Sequence, residues 1–455
     1  GDHSRASADF IAAGTNGDKT TAFAADAKAR GGDMAAVLAG AGNLYASRYE
    51  YYSNSRHGDS YDAGTYLNAQ GALVGALGIG DHSSASADFI GAETNGDSTD
   101  AFAADARAEG NDLAAVLAAA GSLYWNNYVS QSNSHHCQAY YRSDDLGVQG
   151  ALAGALGIGD HSRASADFIA AGTNGDKTIA FAADAKARGD DLAAVLAGAG
   201  DLYAGSYVYD RDSRHRHTHE SSKYIDVQAA LAGAVGVGDR SSASADFIAA
   251  GTNGLQTYAF AADAKARGNE LAAVLAGAGS LYAVSHEYHR NSYSDFSNSL
   301  GAQGALVAAL GAGDHSSASA DFIGAETNGQ HSTAVAADLR ARGESFAAVA
   351  AGAGSIQFEQ SPIISNFDYQ GSAVGAYSFG PNSNAYARYI RADTSWDESS
   401  AFARHIGSGP NGEVFAGVAY PSIGIDGITV PAGYYSQAMA GVESNPTILY
   451  WGIIP

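Results

Sequence analysis

The stretch that decides the fold is Gly-Asp-His-Ser-Arg-Ala-Ser-Ala-Asp-Phe at residues 1–10, because the chain repeats it. Near-copies begin at Gly80, Gly159, Gly238 and Gly313. The starts at 1, 80, 159 and 238 are 79 residues apart, and the last interval, from 238 to 313, is 75 residues. A fixed period of this length indicates a stacked array, in which each unit buries its apolar side against its neighbours.

The array and the end of the chain differ in proline content. All seven prolines lie at or after Pro362, and the array before it has none. Proline cannot donate to a strand ladder, so its absence fits continuous strand stacking. We therefore divide the chain into repeated units and a β-rich C-terminal segment that caps the array or takes part in assembly. Their predicted bounds are 1–79, 80–158, 159–237, 238–312, 313–361 (a partial unit) and 362–455.

Within one unit, the side chains alternate with the period of a β-strand. In residues 25–30, alanines occupy one side and Asp26, Lys28 and Arg30 the other. Residues 34–42 and 71–79 are apolar on both sides, which is typical of a strand buried on both faces. Glycine recurs too often to leave many stretches of the ~12–15 residues that isolated helices need.

These patterns predict an all-β fold: a repetitive β-arch or β-roll solenoid of about five units, with four strands per unit and about ten stacked layers. The inward alanines and glycines predict a thin core.

Each unit also carries an insertion whose sequence does not repeat. The insertions lie near 45–66, 124–145, 203–224 and 282–298 and are rich in Tyr, Ser, Asn and His. Variable segments of repeat proteins often carry contacts, and tyrosine offers a large contact area with a polar end. The alternative is that they only cover an open flank of the array. With the apolar end of the chain, they supply the predicted self-assembly contacts: Tyr49, Tyr51, Tyr52, Tyr140, Tyr141, Tyr207, Tyr209, Tyr450 and Trp451.

The charge balance excludes some classes of partner. The chain has 48 acidic and 25 basic side chains and a net charge of −23, which argues against binding nucleic acid. No apolar run approaches the ~20 residues that span a bilayer, so no transmembrane segment is expected. The single cysteine, Cys137, excludes an intrachain disulfide. Because the chain starts at Gly1 without a methionine or signal sequence, we expect a processed, exported protein at the cell surface or outside the cell.

Acidic residues recur at equivalent positions and are the main candidates for a metal site. One set is Asp9, Asp88, Asp167, Asp246 and Asp321, and a second is Asp26, Asp105, Asp184, Asp263 and Asp338. Stacked carboxylates repel one another unless basic neighbours two residues along the strand form ion pairs with them or a structural Ca²⁺ bridges them. A separate cluster, His215, His217 and His219, is a weaker candidate for a transition metal.

No sequence motif of a catalytic site is present. A nucleophile elbow, a phosphate-binding loop, a dinucleotide fingerprint and a His-Glu-x-x-His zinc motif are all lacking. We therefore predict a protein that is not an enzyme and needs no cofactor beyond the structural Ca²⁺ already considered.

Two known kinds of protein resemble this one. Residues 21–42, which begin with Thr-Ala-Phe-Ala-Ala-Asp-Ala-Lys-Ala-Arg-Gly, resemble the head repeats of YadA-type trimeric adhesins, as do residues 372–380. That resemblance implies a left-handed β-roll that trimerises. The small-residue composition and repeat style also resemble the amyloid-like β-arch sheath proteins that encase some filamentous archaea, which implies a subunit of a wall.

The sequence thus predicts a structural protein that assembles with copies of itself, through strand stacking, into an extracellular fibre, sheath or surface layer. The alternative is an adhesive fibre, either a trimeric surface adhesin or a virus tail fibre. In that case the tyrosine-rich insertions contact a receptor, the cell surface or a glycan.

Overall fold

Each repeat of the sequence forms two antiparallel hairpins, one in each of two facing sheets. In the second repeat, Ser83–Asn95 pairs with Ser98–Gly110, and Leu113–Ser134 pairs with Cys137–Ile158. The first hairpin belongs to a sheet of strands up to 13 residues long, and the second to a sheet of strands up to 22 residues long. We call these the short-strand sheet and the long-strand sheet. Connections therefore alternate between turns within a sheet and crossings between sheets.

The structure is a computed structural model that describes residues 4–424 with gaps. The gaps fall at 17–18, 56–57, 96–97, 135–136, 175–176, 214–215, 240, 254–255, 292, 314–315, 329–330, 344–345, 363–364, 379–382, 388–389, 396–397, 404–406, 409–415 and 420–421.

The strands follow the repeats. Those up to residue 158 are β1 Arg5–Ser7, β2 Phe10–Asn16, β3 Lys19–Gly31, β4 Met34–Ser55, β5 Gly58–Ile79, β6 Ser83–Asn95, β7 Ser98–Gly110, β8 Leu113–Ser134 and β9 Cys137–Ile158. Those of the next two units are β10 Ser162–Asn174, β11 Lys177–Gly189, β12 Leu192–Ser213, β13 Arg216–Val237, β14 Ser241–Asn253, β15 Gln256–Ala261, β16 Lys265–Gly268, β17 Leu271–Arg290 and β18 Tyr293–Ala312.

The remaining strands complete both sheets. They are β19 Ser316–Ser319, β20 Ile323–Asn328, β21 His331–Ala336, β22 Arg340–Gly343, β23 Phe346–Gln360, β24 Ser365–Ser378, β25 Ser383–Tyr386, β26 Ile390–Ser395, β27 Glu398–Ala403, β28 Gly407–Ser408, β29 Ala416–Ala419 and β30 Ser422–Gly424. The described part of the C-terminal segment thus extends the array, since β24 pairs with β23, and β25 and β26 pair with β22 and β21.

The long-strand sheet runs without interruption in the order β29-β24-β23-β18-β17-β13-β12-β9-β8-β5-β4, and every pairing is antiparallel. It contains ten long strands, the number of layers predicted from the repeats. The prediction of an all-β, repetitive fold is confirmed. Because successive repeats pair in the same register, equivalent residues form straight rows across the sheet.

The core between the sheets is thin because alanine fills most of it. Its largest fully buried side chains from the short-strand sheet include one isoleucine per full repeat after the first, such as Ile90 and Ile169. The long-strand sheet contributes valines such as Val74, Val116 and Val195. Small side chains let two sheets approach closely, so each repeat packs firmly with little apolar volume.

Glycine is required where the chain crosses from one sheet to the other. A Cβ added at Gly157 would overlap the carbonyl oxygen of Arg188, and one at Gly189 would overlap that of Ile158. Backbones of the two sheets therefore touch at each crossing. In the turn between β9 and β10, Gly159 and His161 both have positive φ, 99° and 59°, and the hydroxyl of Ser162 donates to the Gly159 carbonyl.

The long strands project well beyond the short-strand sheet. None of the residues 124–134 and 137–147 is buried, although both segments lie in regular strands. The insertions predicted from the sequence are thus the distal halves of the long hairpins. They form one layer of sheet, which we call the extension.

One prediction about burial is wrong. Residues 34–42 and 71–79 lie in β4 and β5, and only their inner side chains are buried. On the outer side, Leu38 is 61% exposed and Leu73 is 55% exposed. The sequence is that of a strand covered on both faces, but the chain supplies a covering layer on one face only.

Candidate interaction surfaces

The outer side of the long-strand sheet is a broad apolar surface. It comprises the six rows that pass through Ala36, Leu38, Gly40, Gly42, Leu44 and Ala46 of β4, and we call it the apolar face. Across β4, β5, β8, β9, β12, β13, β17, β18 and β23, all described at these rows, no charged side chain occurs. Exposed apolar patches on soluble monomers are usually a few hundred Å² or less, so a face of this extent is a candidate interaction site.

A row of glycine runs across the middle of the apolar face, perpendicular to the strands. It consists of Gly42, Gly71, Gly121, Gly150, Gly200, Ala229, Gly279, Gly304, Gly354 and Gly371. A Cβ added at Gly71 or Gly150 would have no atom within 4 Å. The row is therefore the floor of an open groove, and around Gly279 and Gly304 this groove forms a cavity of about 830 Å³.

Rows of large apolar side chains border the groove. Next to it on the extension side stand Leu44, Leu123, Val148, Leu202, Val227, Leu281 and Ile356. On the other side, leucines lie flat over glycines of the adjacent strand. A Cβ at Gly75, for example, would overlap the side chain of Leu38. The apolar face thus combines a ridge, a groove and a flat leucine layer.

The extension displays tyrosine clusters on the side that continues the inner face. The rings of Tyr45 and Tyr66 are 5.8 Å apart, and those of Tyr66 and Tyr124 are 5.7 Å apart. The rings of Tyr203 and Tyr224 are 5.2 Å apart. Spacings of this size are typical of favourable aromatic pairs.

Several of these tyrosines are tied to carboxylates. The Tyr207 hydroxyl donates to Glu220 Oε1 at 2.5 Å, and the Tyr224 hydroxyl donates to Asp145 Oδ1 at 2.7 Å. Partial burial together with the hydrogen bond to Glu220 raises the pKa of Tyr207 to about 12. Burial, with the hydrogen bonds to Tyr203 and Asp145, also raises the pKa of Tyr224. These tyrosines therefore stay neutral and donate hydrogen bonds at any physiological pH.

The tyrosines predicted as assembly contacts lie on both faces of the extension. Those in the rows of Tyr49 and Tyr51 share the side of the tyrosine clusters, whereas Tyr52 and Tyr140 occupy the opposite side. Tyr49, Tyr51 and Tyr52 are all exposed, and Tyr52 is 63% exposed. The described residues on the cluster side are Tyr49, Tyr51, Tyr141, Tyr207 and Tyr209. Tyr450 and Trp451 lie outside the described residues.

The two predicted sets of aspartates form a single row. Ala166 pairs with Ala106 and Phe168 with Ala104, which places Asp167 opposite Asp105. Asp26, Asp105 and Asp184 take positive φ of 44–47° at a bend in their strands. The row runs along the outer side of the short-strand sheet through Asp9, Asp26, Asp88, Asp105, Asp167, Asp184, Asp246, Asp263, Asp321 and Asp338.

This carboxylate row is crowded. At one end, partial desolvation, a hydrogen bond to Asp263 and the charges of Asp263 and Asp338 raise the pKa of Asp321. In the part of the chain that the structure describes, no ion pair joins the row to the basic side chains two residues along, so the predicted ion-pair ladders are missing there. The outer side of the short-strand sheet is therefore charged, with the carboxylate row beside basic side chains such as Lys28, Arg107 and Lys186.

His219 of the histidine cluster and His289 of the neighbouring strand each lie next to a carboxylate. His219 Nδ1 lies 2.7 Å from Asp210 Oδ1, and His289 Nε2 lies 2.5 Å from Glu287 Oε1. The two imidazole rings are 6.1 Å apart. The backbone N–H of His217 donates to Asn291 Oδ1, and His215 lies outside the described residues. Over the described ranges, no three His, Cys, Asp or Glu side chains are grouped so that they could hold a metal ion.

A seam of polar side chains closes the core where the short-strand sheet ends. Threonines form a buried row there: Thr94, Thr99, Thr173, Thr178, Thr252, Thr257 and Thr327. The Thr257 hydroxyl donates to Gln228 Oε1 of the facing sheet at 3.5 Å. The hydroxyls of Thr94, Thr99, Thr173, Thr178, Thr252 and Thr327 are buried and make no hydrogen bond.

The first repeat leaves core positions uncovered at the edge of the array. Ile11 is 72% exposed, although its equivalents Ile90, Ile169 and Ile248 are fully buried. A cavity of about 400 Å³ beside Ile11 is lined by core alanines and by Val37. One further layer of this repeat, from any source, would bury these side chains.

No protein family and no curated protein matches the chain. In the described residues, no helix has the length and apolarity that a membrane crossing requires.

The apolar face was missed in the sequence because its residues look like core. Alternate residues of β4 and β5 face opposite ways, and the outward set is as apolar as the inward set. One signal was available. Glycine recurs at the same position in the long hairpins of the first four repeats, at Gly42, Gly121, Gly200 and Gly279, where a buried strand would carry a larger side chain.

Proposed function

We propose that this chain is an exported structural protein that assembles with copies of itself into an extracellular fibre, sheath or surface layer. The observation that carries the proposal is the uncovered long-strand sheet. Its outer side is apolar along its whole width. On the inner side, the short-strand sheet does not reach the extension, so the extension is not covered there. Apolar area of this size is stabilised when another surface removes it from water.

The distribution of charge supports the same proposal. Carboxylates line the outer side of the short-strand sheet, while the apolar face has no charge. A net charge of −23 keeps single copies soluble and makes random association unfavourable. Copies can then associate where charge is absent, which gives assembly a defined direction. The exposed edge at Ile11 adds a second surface that a further layer would cover.

The test is the size of the purified chain as a function of its concentration. We expect light scattering to show oligomers that grow with concentration and with salt, since salt screens the like charges. Negative-stain images of the same samples should show fibres, sheets or tubes. A monomer of 46.2 kDa at every concentration and salt level would contradict the proposal.

An adhesive fibre is the second candidate, because the extension displays tyrosine rings beside carboxylates. Aromatic rings with neighbouring hydrogen-bonding groups suit the apolar and polar faces of sugars. The rings of Tyr45, Tyr66 and Tyr124 form such a patch. Binding of the chain to a glycan array, lost in a Tyr66→Ala variant that still assembles, would support adhesion as its function.

A further inference from the structure

The apolar face has a shape that matches a second copy of itself. We propose that two copies of this chain pack their apolar faces together, with the ridge of each seated in the glycine groove of the other. This inference rests on the proposed function, and it names the surface and the geometry of the first contact in assembly.

The face is far from covered in the single chain. Leu44 is 70% exposed, and Leu231 and Leu306 are 45% and 53% exposed. These leucines lie on β4, β13 and β18, so the exposure extends across the sheet and is not confined to one edge.

The groove is empty because glycine has no side chain and because no neighbouring side chain folds over it. Nothing lies within 4 Å of a Cβ built on Gly71 or Gly150, and at Gly42, Gly121 and Gly200 the nearest atoms are backbone oxygens at 3.4–3.6 Å. The adjacent row through Leu44 forms the ridge, one residue pair further along each strand.

A two-fold axis brings the ridge and the groove together reciprocally. The axis lies parallel to the sheets, perpendicular to the strands and level with Asn43 of β4. Rotation about it places the row of Leu44 over the partner's row of Gly42, and the partner's leucine row over this copy's glycines. Such an interface is isologous and closed, as in most homodimers. Aligned sheets can pack face to face in this way with their strand directions within about 30°.

The spacing of the two features identifies the occupant. From β4 to β23 the ridge has one apolar side chain per strand, with alanine on β5 and β18. The groove has one glycine per strand except for Ala229 on β13, so both features repeat at about 4.8 Å. Another copy of this sheet has the same spacing over the same ten strands. A lipid surface has no such period.

The area is sufficient for a stable dimer. With the axis level with Asn43, the rows from Gly40 to Ala46 face the same rows of the partner. Ten strands about 4.8 Å apart and this span, at about 3.4 Å per residue, give roughly 1,000 Å² on each copy. Stable interfaces commonly bury about 800 Å² per partner. Charge favours the same arrangement, because the carboxylate rows then lie on the two outer sides of the pair, as far apart as possible.

The experiment is sedimentation velocity on the full chain and on variants that fill the groove. Gly71→Glu with Gly150→Glu places two charged side chains in the groove at positions where the added Cβ atom meets no neighbour within the chain. Gly14→Glu is the matched control, since its added Cβ also meets nothing, but it lies in the short-strand sheet. We expect the groove variant to associate about tenfold more weakly or worse than the wild type, and the control to associate normally.

A second variant tests the same interface in case the groove variant does not fold. Leu44→Ser with Leu281→Ser removes two ridge side chains that are already exposed, so the fold of the single chain should persist. It should weaken association as the groove variant does. Circular dichroism and the thermal midpoint verify folding of each variant.

The outcomes separate this inference from the proposed function. If the wild type assembles and both variants assemble equally well, the proposed packing of one apolar face against another is overturned. The proposed self-assembly is then still supported. If the wild type remains monomeric at all concentrations, self-assembly itself fails. If the monomer instead floats with vesicles of zwitterionic phosphatidylcholine and the groove variant does not, a lipid surface covers the face, and the second copy is overturned as its occupant.

Discussion

At the scale of single residues, the polar seam at the end of the core contains buried hydroxyl groups that make no hydrogen bond. Thr173 is buried and its hydroxyl has no hydrogen-bond partner. The hydroxyl of Thr257, which lies in the same buried row and is the equivalent of Thr178 one repeat later, donates to Gln228. A buried hydroxyl without a partner loses its bonds to water and gains nothing in return.

We therefore expect Thr173→Val to raise the free energy of unfolding by about 1 kcal/mol, because valine keeps the branched shape and removes the unpaired hydroxyl. Chemical denaturation of the full chain measures this change. Thr257→Val is the control and should bring no gain, since it removes a hydrogen bond as well. An unchanged or lower stability for Thr173→Val would show that its hydroxyl is satisfied in solution.

A second prediction at the scale of single residues concerns the carboxylate row. The pKa of Asp321 is raised by desolvation and by Asp263, so its charged form is disfavoured in the folded chain. The stability associated with this raised pKa is present at low pH and is lost as the pH rises above the ordinary value of 3.8. Asp321→Asn should therefore raise the melting temperature at pH 7 in low salt.

The gain from Asp321→Asn should shrink in high salt, which screens the row, and should shrink again below about pH 4, where the carboxyl is protonated in both states. Melting curves across pH 3–7 at two salt levels measure both effects. Asp59→Asn, a change in the extension outside the row, is the control. A gain independent of both pH and salt would show that charge repulsion is not its cause.

The third residue-scale prediction concerns alkaline pH. In the unfolded chain Tyr207 ionises near its ordinary value of 10, and in the folded chain near 12. Between these values only the unfolded chain releases the proton, so stability falls as the pH rises from 10 to 12. Tyr207→Phe should lessen this fall, and absorbance at 295 nm should lose one late-titrating tyrosine. Tyr52→Phe, which alters an exposed ring, should leave the late titration unchanged.

At the scale of strands, glycines in the same strand have opposite roles. Gly157 lies at a crossing between sheets, where an added Cβ would overlap the Arg188 carbonyl oxygen. Gly150, seven residues earlier in β9, lies in the open groove. We expect Gly157→Ala to destabilise the chain by about 2 kcal/mol or more, because backbone atoms must move apart.

Gly150→Ala should instead be neutral or slightly stabilising, since alanine lowers the entropy of the unfolded chain and meets no obstacle. Equal losses for the two variants, measured by thermal unfolding, would contradict the close approach of the backbones at the crossing. Because both changes are Gly→Ala in the same strand, the difference in intrinsic strand propensity is the same for both variants.

The sequence predicted the strands and their number well, for a physical reason. Period-two alternation around Asp26 and Lys28 and the 79-residue repeat are local and additive, so they can be read without knowledge of the packing. The thin alanine core followed from the same alternation. Register was not readable, and so the merging of two aspartate sets into one row was not predicted.

The candidate site was predicted only in part for the same reason. The tyrosine-rich insertions stood out by composition, but which of Tyr49, Tyr51 and Tyr52 share a face depends on the register of β4 with β5. The apolar face stayed hidden because an apolar residue such as Leu38 has the same pattern whether its cover comes from the same chain or from another.

At the scale of the whole molecule, the two sheets have different outer surfaces. One is lined by carboxylates and the other is uncharged and grooved, while the extension adds tyrosines on a single layer. Association through the uncharged surface would leave both charged surfaces toward solvent. The proposed arrangement would allow a chain with a net charge of −23 to stay in solution and still associate with copies of itself.

The most direct test of this account is a cryo-electron microscopy map of the protein at the highest concentration at which it stays in solution. The account predicts ordered assemblies in which the long-strand sheets of neighbouring copies face each other, with density from the row of Leu44 seated over the row of Gly42. Single copies with the long-strand sheet facing solvent, under conditions of high concentration and salt, would contradict it.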